Sequence, residues 1–300
     1  MSSPFTNELV IPHELDGKSI KDILYGHFAL STNAIKGLKY NGKILLDGKE
    51  VTVRETVSAH QHLTLVFPQS TSESIVPIEL PIDVLFEDEH ILAVNKPFGM
   101  PTHPSHGHRT DTLANAVMHK YGGNFVFRPI TRLDIDTTGV VLIAKNAVAC
   151  HKLCSALADN ADEVLIRKNY LALCTAVPKE KSGTINAPIG RLCGSVLKRC
   201  VKEDGQRAVT NYEVIEQNEG ICLVKAMPLT GRTHQIRVHM AYIGCPLVGD
   251  YLYGTEIAGT RTMLHCESVE FLHPISGQRL CIKATMPEDM CKIVKNDGVS

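Results

Sequence analysis

Residues 131–146, TRLDIDTTGVVLIAKN, bring a cation, two carboxylates and three hydroxyls to the entrance of five consecutive apolar residues. The run at 140–144 reads as an interior strand, because side chains that alternate between two faces are here apolar on both. A loop feeding such a strand is anchored at the floor of whatever cleft the sheet presents, so Asp134 is held rigidly. For an isolated RLD tripeptide the bland account is favoured: Asp134 and Asp136 form turns with Thr137 and Thr138, and Arg132 is their counter-ion.

Outward from this strand the chain stays strand-rich. Residues 83–97, DVLFEDEHILAVNKP, give two strands around an acidic turn, and 169–177, 210–217 and 221–229 give three more. Residues 146–160 read as a helix with Ala149, Leu153, Ala156 and Leu157 on one face. Strands outnumber helices without regular alternation, which favours an α+β fold on a mixed, largely antiparallel sheet over a doubly wound one. Ahead of it lies a small α+β unit. Two helices are expected over 19–29 and 30–42, the second capped by Ser31 or Thr32 and stopped at Asn41-Gly42. A hairpin about Asp47-Gly48 and a strand over 62–67 follow. The polar residues 68–74, PQSTSES, read as a linker. The expected organisation is an N-terminal unit over 1–70, a connection over 71–82 and a large unit over 83–300.

The chain has 300 residues and a formal net charge of -1 with 14 His uncounted. Near-balance neither requires nor excludes a polyanionic partner, so any basic surface is local. Ten cysteines occur without a C-x-x-C pair, which predicts reduced core thiols in a cytoplasmic protein. The first residues lack the basic-then-apolar pattern of a secretion signal, and no apolar run nears the length of a membrane span, so no membrane association is expected.

Several enzyme classes fall away. Residues 42–49 resemble a phosphate loop only superficially, with five residues between the glycines where four are needed and Glu50 in place of a hydroxyl. No G-x-S-x-G elbow occurs. His103, His106 and His108 match no familiar ligand spacing, and His234 and His239, five apart, would diverge by about 140° on a helix; no metal is expected. Asp134 and Asp136, two positions apart in an extended segment, would be parallel neighbours with no gap for a sugar between them.

A second charged segment changes the weight given to the first. In residues 228–250, PLTGRTHQIRVHMAYIGCPLVGD, Thr233 is expected to cap a helix whose Ile236, Met240 and Ile243 face inward and which ends at Gly244. Arg232, His234, Arg237 and His239 crowd its first turns. Positive charge at the positive end of a helix is unfavourable unless an anion sits nearby, so the segment points to a phosphate or carboxylate partner.

Together VNKPFGMPTHP, RLDIDTTGVVLIAK, KNYLAL and LTGRTHQIRVHMAYIGCPLVGD resemble, in order, the motifs of the pseudouridine synthases of the RluA and RluD type, over about residues 83–287. The N-terminal unit is similar, over a shorter match, to the S-four-type RNA-binding domain. The resemblance implies that Asp134 is the catalytic aspartate and that Arg132 occupies the space a flipped uridine leaves in the RNA stack. It also implies that Tyr170 lies against the target uracil, that Ile236 is an apolar wall, and that Arg237 pairs with the catalytic carboxylate. Thr131 stands where the family commonly has His, and Thr138 where it has Ser. No cofactor is implied. The implied partner is structured RNA, ribosomal or transfer, with Lys36, Lys39, Lys43, Arg232 and His234 as candidate RNA contacts. No obligate protein partner is implied, and a monomer is expected.

The chemistry fits these residue types. Turning uridine into its C-glycoside breaks the bond from N1 to the sugar and joins C5 without redox change, which calls for an ionised carboxylate and a counter-charge beside it. A stacked base must first be extruded, at a few kcal/mol, and an arginine plane and an aromatic platform then hold what was separated. With no Trp and only eight Phe and eight Tyr, a pocket for one base suits the chain better than an open aromatic strip. The rivals are a non-catalytic RNA-binding or ribosome-assembly factor on the same fold and a hydrolase of small glycosides. The latter lacks a second, suitably spaced acid.

Overall fold

Residues 140–144 are indeed fully buried, as the body of a strand near the middle of a ten-stranded sheet. A computed structural model of the chain describes residues 6–28, 30, 32–67, 75–157, 166–218, 220–257 and 260–295. Ser31 and the linker at 68–74 lie outside the described residues.

The N-terminal unit begins with a strand the pattern did not reveal, β1 (Thr6–Val10), followed by α1 (Ile20–Gly26), α2 (Thr32–Asn41), β2 (Lys43–Leu46), β3 (Lys49–Glu50) and β4 (His62–Val66). Ser19 caps α1 by accepting from the Asp22 amide at 3.2 Å, which satisfies one of the free first-turn donors. Asp47 and Gly48 both take positive φ, 50° and 78°, the twist that a two-residue hairpin needs. The strands order as β1-β4-β2-β3, and Ile20, Ile23, Leu24, Phe28, Ile35 and Leu38 fill the core between helices and sheet.

The large unit continues with β5 (Asp83–Glu87), β6 (Ile91–Lys96), α3 (Leu113–Lys120), β7 (Arg128–Pro129), β8 (Thr138–Ala144), α4 (Ala147–Ala156), β9 (Arg167–Cys174) and β10 (Ser182–Asn186). A separate hairpin, β11 (Ile189–Arg191) with β12 (Arg199–Val201), precedes β13 (Val209–Asn218), β14 (Ile221–Pro228), α5 (Gln235–Tyr242), β15 (Leu264–Leu272), β16 (Arg279–Lys283) and α6 (Glu288–Val294). The sheet runs β10-β13-β14-β9-β15-β8-β6-β5, with β16 beside β15 and β7 beside β8. Every pairing is antiparallel except that of β15 with β8, so the expected mixed, largely antiparallel α+β sheet is what the chain forms.

That parallel junction rests on Gly139. Its φ is +110°, and a Cβ there would lie 2.2 Å from the Cys266 carbonyl oxygen, so only glycine lets β15 approach β8 where the turn carrying Asp134 enters the sheet. α4 faces two ways. Ala149 and Leu153 pack on the sheet's core, whereas Val148 is buried in the core of the N-terminal unit.

The cysteines depart from expectation: Cys174, Cys222, Cys245 and Cys266 are buried, but Cys154, Cys193 and Cys281 are exposed and Cys150, Cys200 and Cys291 half-buried. Core thiols are thus four of the ten. Among the described residues, no helix is long and apolar enough to cross a membrane, and no group of three or more ligating side chains could hold a metal ion.

Candidate active site

The segment ahead of β8 is a tight turn, closed by the Thr137 amide donating to the Asp134 carbonyl at 3.1 Å. This corrects the extended reading: Asp134 and Asp136 are not parallel neighbours, and Asp134 lines the cleft while Asp136 does not. The turn's carbonyls are fastened one after another. Leu133 O accepts from Thr102 Oγ1 at 2.9 Å, Ile135 O from the Gly99 amide at 3.0 Å and from Lys96 Nζ at 3.2 Å, and Asp136 O from Arg261 Nη1 at 3.3 Å.

Both cations are buried. Lys96 spends its other donors on the carbonyls of Pro97 and Met100, at 2.8 and 2.7 Å. Burial draws its amine down to about 7, with Asp134 and Asp136 opposing. Arg261 is held by two bonds to Asp289 in α6, at 2.6 and 3.0 Å. Burial raises the pKa of Asp136, against the nearby Arg237 charge. The two departures from the family pattern face inward: Thr131 Oγ1 accepts from the Leu142 amide at 2.9 Å, and Thr138 Oγ1 meets His265 Nδ1 at 2.9 Å.

The opposite wall is the passage from β14 into α5. Thr233 is not the cap. His234 occupies that position in the left-handed region, φ 58°, and makes no capping bond. Gln235 does related work from within the helix, its Oε1 accepting from the Arg232 amide at 3.0 Å and from Thr230 Oγ1 at 2.7 Å. His239 is interior, between Thr210 Oγ1 and the Ala187 carbonyl at 2.9 Å each.

Arg237 is also buried, and its main partner is a residue the sequence reading did not single out. It forms a two-pronged bond to Asp250, Nε to Oδ2 at 2.8 Å and Nη2 to Oδ1 at 2.7 Å. Its remaining Nη1 stands 3.5 Å from Asp134 Oδ2. For Arg237, the anions expected from the crowding of cations on α5 are therefore the protein's own carboxylates. Two tyrosines flank the guanidinium, with ring centroids 5.7 Å (Tyr251) and 5.3 Å (Tyr253) away. His234 Nε2 lies 3.9 Å from the same Asp134 oxygen.

Between these walls opens a cleft of about 1040 Å³, into which Arg132, Asp134, Tyr170, Arg232, His234, Ile236 and Arg237 all face. Asp134 keeps 28% of its side-chain surface exposed, enough for an incoming atom to reach it. Tyr170 comes from β9, opposite Ala226 of β14 and Cys266 of β15, and burial raises its phenol pKa. Lys168 and Arg207 add positive charge to the rim. Lys36, Lys39 and Lys43 are exposed on the N-terminal unit and do not join this cleft. Asp250, Lys96, Arg261 and Tyr253 were the functional neighbours missed. Asp250 closes a quoted motif, but nothing in its spacing tells that it doubles back on Arg237.

An open cleft with a reachable carboxylate, an arginine beside it and an aromatic wall suits attack on a flat, neutral substrate carried by an anion. Comparison with known proteins identifies the family. Residues 90–242 match the family model of RNA pseudouridylate synthases. The uncharacterized RNA pseudouridine synthase YjbO of Bacillus subtilis is 36% identical over 91% of this chain and 97% of its own length. Ribosomal large subunit pseudouridine synthase D of Xanthomonas campestris is 33% identical over 98% of this chain and 94% of its own. The solved structure of human RNA pseudouridylate synthase domain containing 4 shares the fold, with a TM-score of 0.56 and 23% identity over 70% of this chain and 90% of that one.

Proposed function

The chain belongs to the RNA pseudouridylate synthase family, and from that membership we propose that it isomerises uridines of ribosomal RNA with Asp134 as the nucleophile. The observation that carries the reading is an anchored, reachable carboxylate 3.5 Å from a buried guanidinium, in the same cleft as Tyr170. One oxygen of Asp134 bonds to the nucleotide as the glycosidic electron pair departs with the uracil. The base turns, C5 bonds to the sugar carbon, and the carboxylate is released. C5 gives up one proton and N1 takes one, so the net change is an isomerisation within a single nucleotide and calls for no cofactor.

Each neighbour has a part in this scheme. Tyr170 is the platform for the uracil, with stacking worth roughly 1–3 kcal/mol, and Ile236 closes the pocket beside it. Arg132, exposed at the cleft, refills the gap in the RNA stack, offsetting an extrusion that costs a few kcal/mol. Arg237 is the counter-charge of Asp134, itself oriented by Asp250. Arg232 is a contact to the RNA backbone. We read the N-terminal unit, residues 1–70, as an S-four-type RNA-binding domain that uses Lys36, Lys39 and Lys43, joined through 71–82 to a catalytic domain over 83–300. The protein acts as a cytoplasmic monomer without an obligate protein partner. Support for ribosomal RNA comes from relatives named as large-subunit enzymes at 32–33% identity.

The test is a pseudouridine map of total RNA from cells with and without the gene, complemented by wild type or by Asp134→Asn. Sites that vanish on deletion and return with wild type alone, while the variant still binds RNA, are the expected result. Full restoration by the variant would remove Asp134 from the nucleophile's role, and an unchanged map would favour a binding factor.

A further inference from the structure

His234 stands between the nucleophile and a hydrogen-bonded pair that the catalytic scheme does not use. Its Nδ1 is 2.8 Å from Tyr253 Oη, and that oxygen accepts from the Arg199 amide of β12 at 2.9 Å. Its Nε2 faces Asp134 Oδ2 at 3.9 Å, the same oxygen that Arg237 Nη1 approaches at 3.5 Å. A carboxylate oxygen only accepts, so the nitrogen facing it carries the proton. In a neutral ring Nδ1 then accepts, Tyr253 donates to it, and the Tyr253 oxygen is left to take the Arg199 amide. Of the two neutral tautomers, only this one turns an N–H rather than a lone pair toward Asp134 while giving Nδ1 a donor in Tyr253.

We propose that His234 is a positioning residue that decides which oxygen of Asp134 attacks: its Nε2–H, together with Arg237, claims Oδ2 and leaves Oδ1 for the nucleotide. The inference rests on reading Asp134 as the nucleophile. Separations of 3.5 and 3.9 Å in the free protein shorten as substrate fills the cleft, as catalytic hydrogen bonds commonly do.

Two substitutions separate this role from a structural one. Glutamine can place an amide N–H near the position of Nε2, whereas asparagine reaches only as far as Nδ1. The left-handed backbone at this position, φ 58°, favours asparagine instead. A positioning role predicts that His234→Gln keeps kcat within about threefold of wild type while His234→Asn loses between about tenfold and a hundredfold, with KM for RNA unchanged. A backbone role predicts the reverse order, and that order would overturn the proposal. If a variant fails to fold, the ring tautomer of His234 in the wild-type protein, read from two-bond ¹H–¹⁵N couplings, still decides. The Nε2–H form is expected, and the Nδ1–H form would overturn the assignment. Activity in Asp134→Asn would instead overturn the nucleophile reading, so the two failures are distinguishable.

Discussion

At the scale of single residues, the turn around Asp134 depends on a buried amine. Lys96 supplies three N–H donors to three carbonyls, yet burial lowers its pKa from the ordinary 10.5 to about 7. Between those values the unfolded chain holds a proton that the folded chain has released, so stability rises with pH through this window. Below about 7 the folded protein bears the full penalty of the buried charge. Urea unfolding from pH 6 to 9.5 should reveal that rise in wild type and lose it in Lys96→Met, the difference between the two isolating this one group. The rate of base conversion is expected to move the other way, falling as pH rises above about 7, because a neutral amine has only two donors for three carbonyls; a pH–kcat profile checks it. Asp134, Tyr170 and Arg237 were legible because each sits in a dense run of motif residues. Asp250 was not, since its pairing with Arg237 depends on the chain reversing after α5, and Arg261 reaches Asp136 across 125 positions. His234 was legible only as a cation near RNA; its left-handed backbone, which turns the ring toward Asp134, leaves no mark in composition.

At the scale of elements, strands with strong alternation or unbroken apolar runs could be read, and short ones between polar neighbours could not. β1 alternates with only partial burial, and so escaped. α3 carries a usable signal in hindsight, since Thr112 and Asn115 form a reciprocal capping box. The Thr233 cap failed because the helix starts one residue later than expected, so that His234, in the left-handed region and without a capping bond, stands at the position before α5. The junction of β8 and β15 is the element-level weak point. Gly139→Ala, with its Cβ against the Cys266 carbonyl, should cost at least about 2–3 kcal/mol. Gly26→Ala, where nothing lies within 4 Å, should be neutral or slightly stabilising. Thermal unfolding of the two variants side by side checks the contrast.

At the scale of the whole molecule, the two cores meet at α4. Val148 is fully buried among N-terminal residues while Leu153, further along the helix, belongs to the large sheet. The helix was read with one apolar face, and the second contact was invisible because Val148 follows the same pattern a solvent-side valine would. Val148→Asp would put an unpaired charge into the N-terminal core. Hydrogen exchange should then quicken over α1 and β4 while β8 and β6 keep their protection; equal quickening in both units would mean that they unfold as one.

The fastening of the Asp134 turn carries one more consequence. With the carbonyls of Leu133, Ile135 and Asp136 each bonded to a donor from another part of the fold, the backbone that carries Asp134 is set before any substrate arrives. On the proposed reading of Asp134, the slow coordinate of capture is expected to belong to the RNA. The frequency with which the target nucleotide spontaneously opens should then set the arrival rate, and sites in loops or mismatches should be modified ahead of identical sequences locked in a duplex.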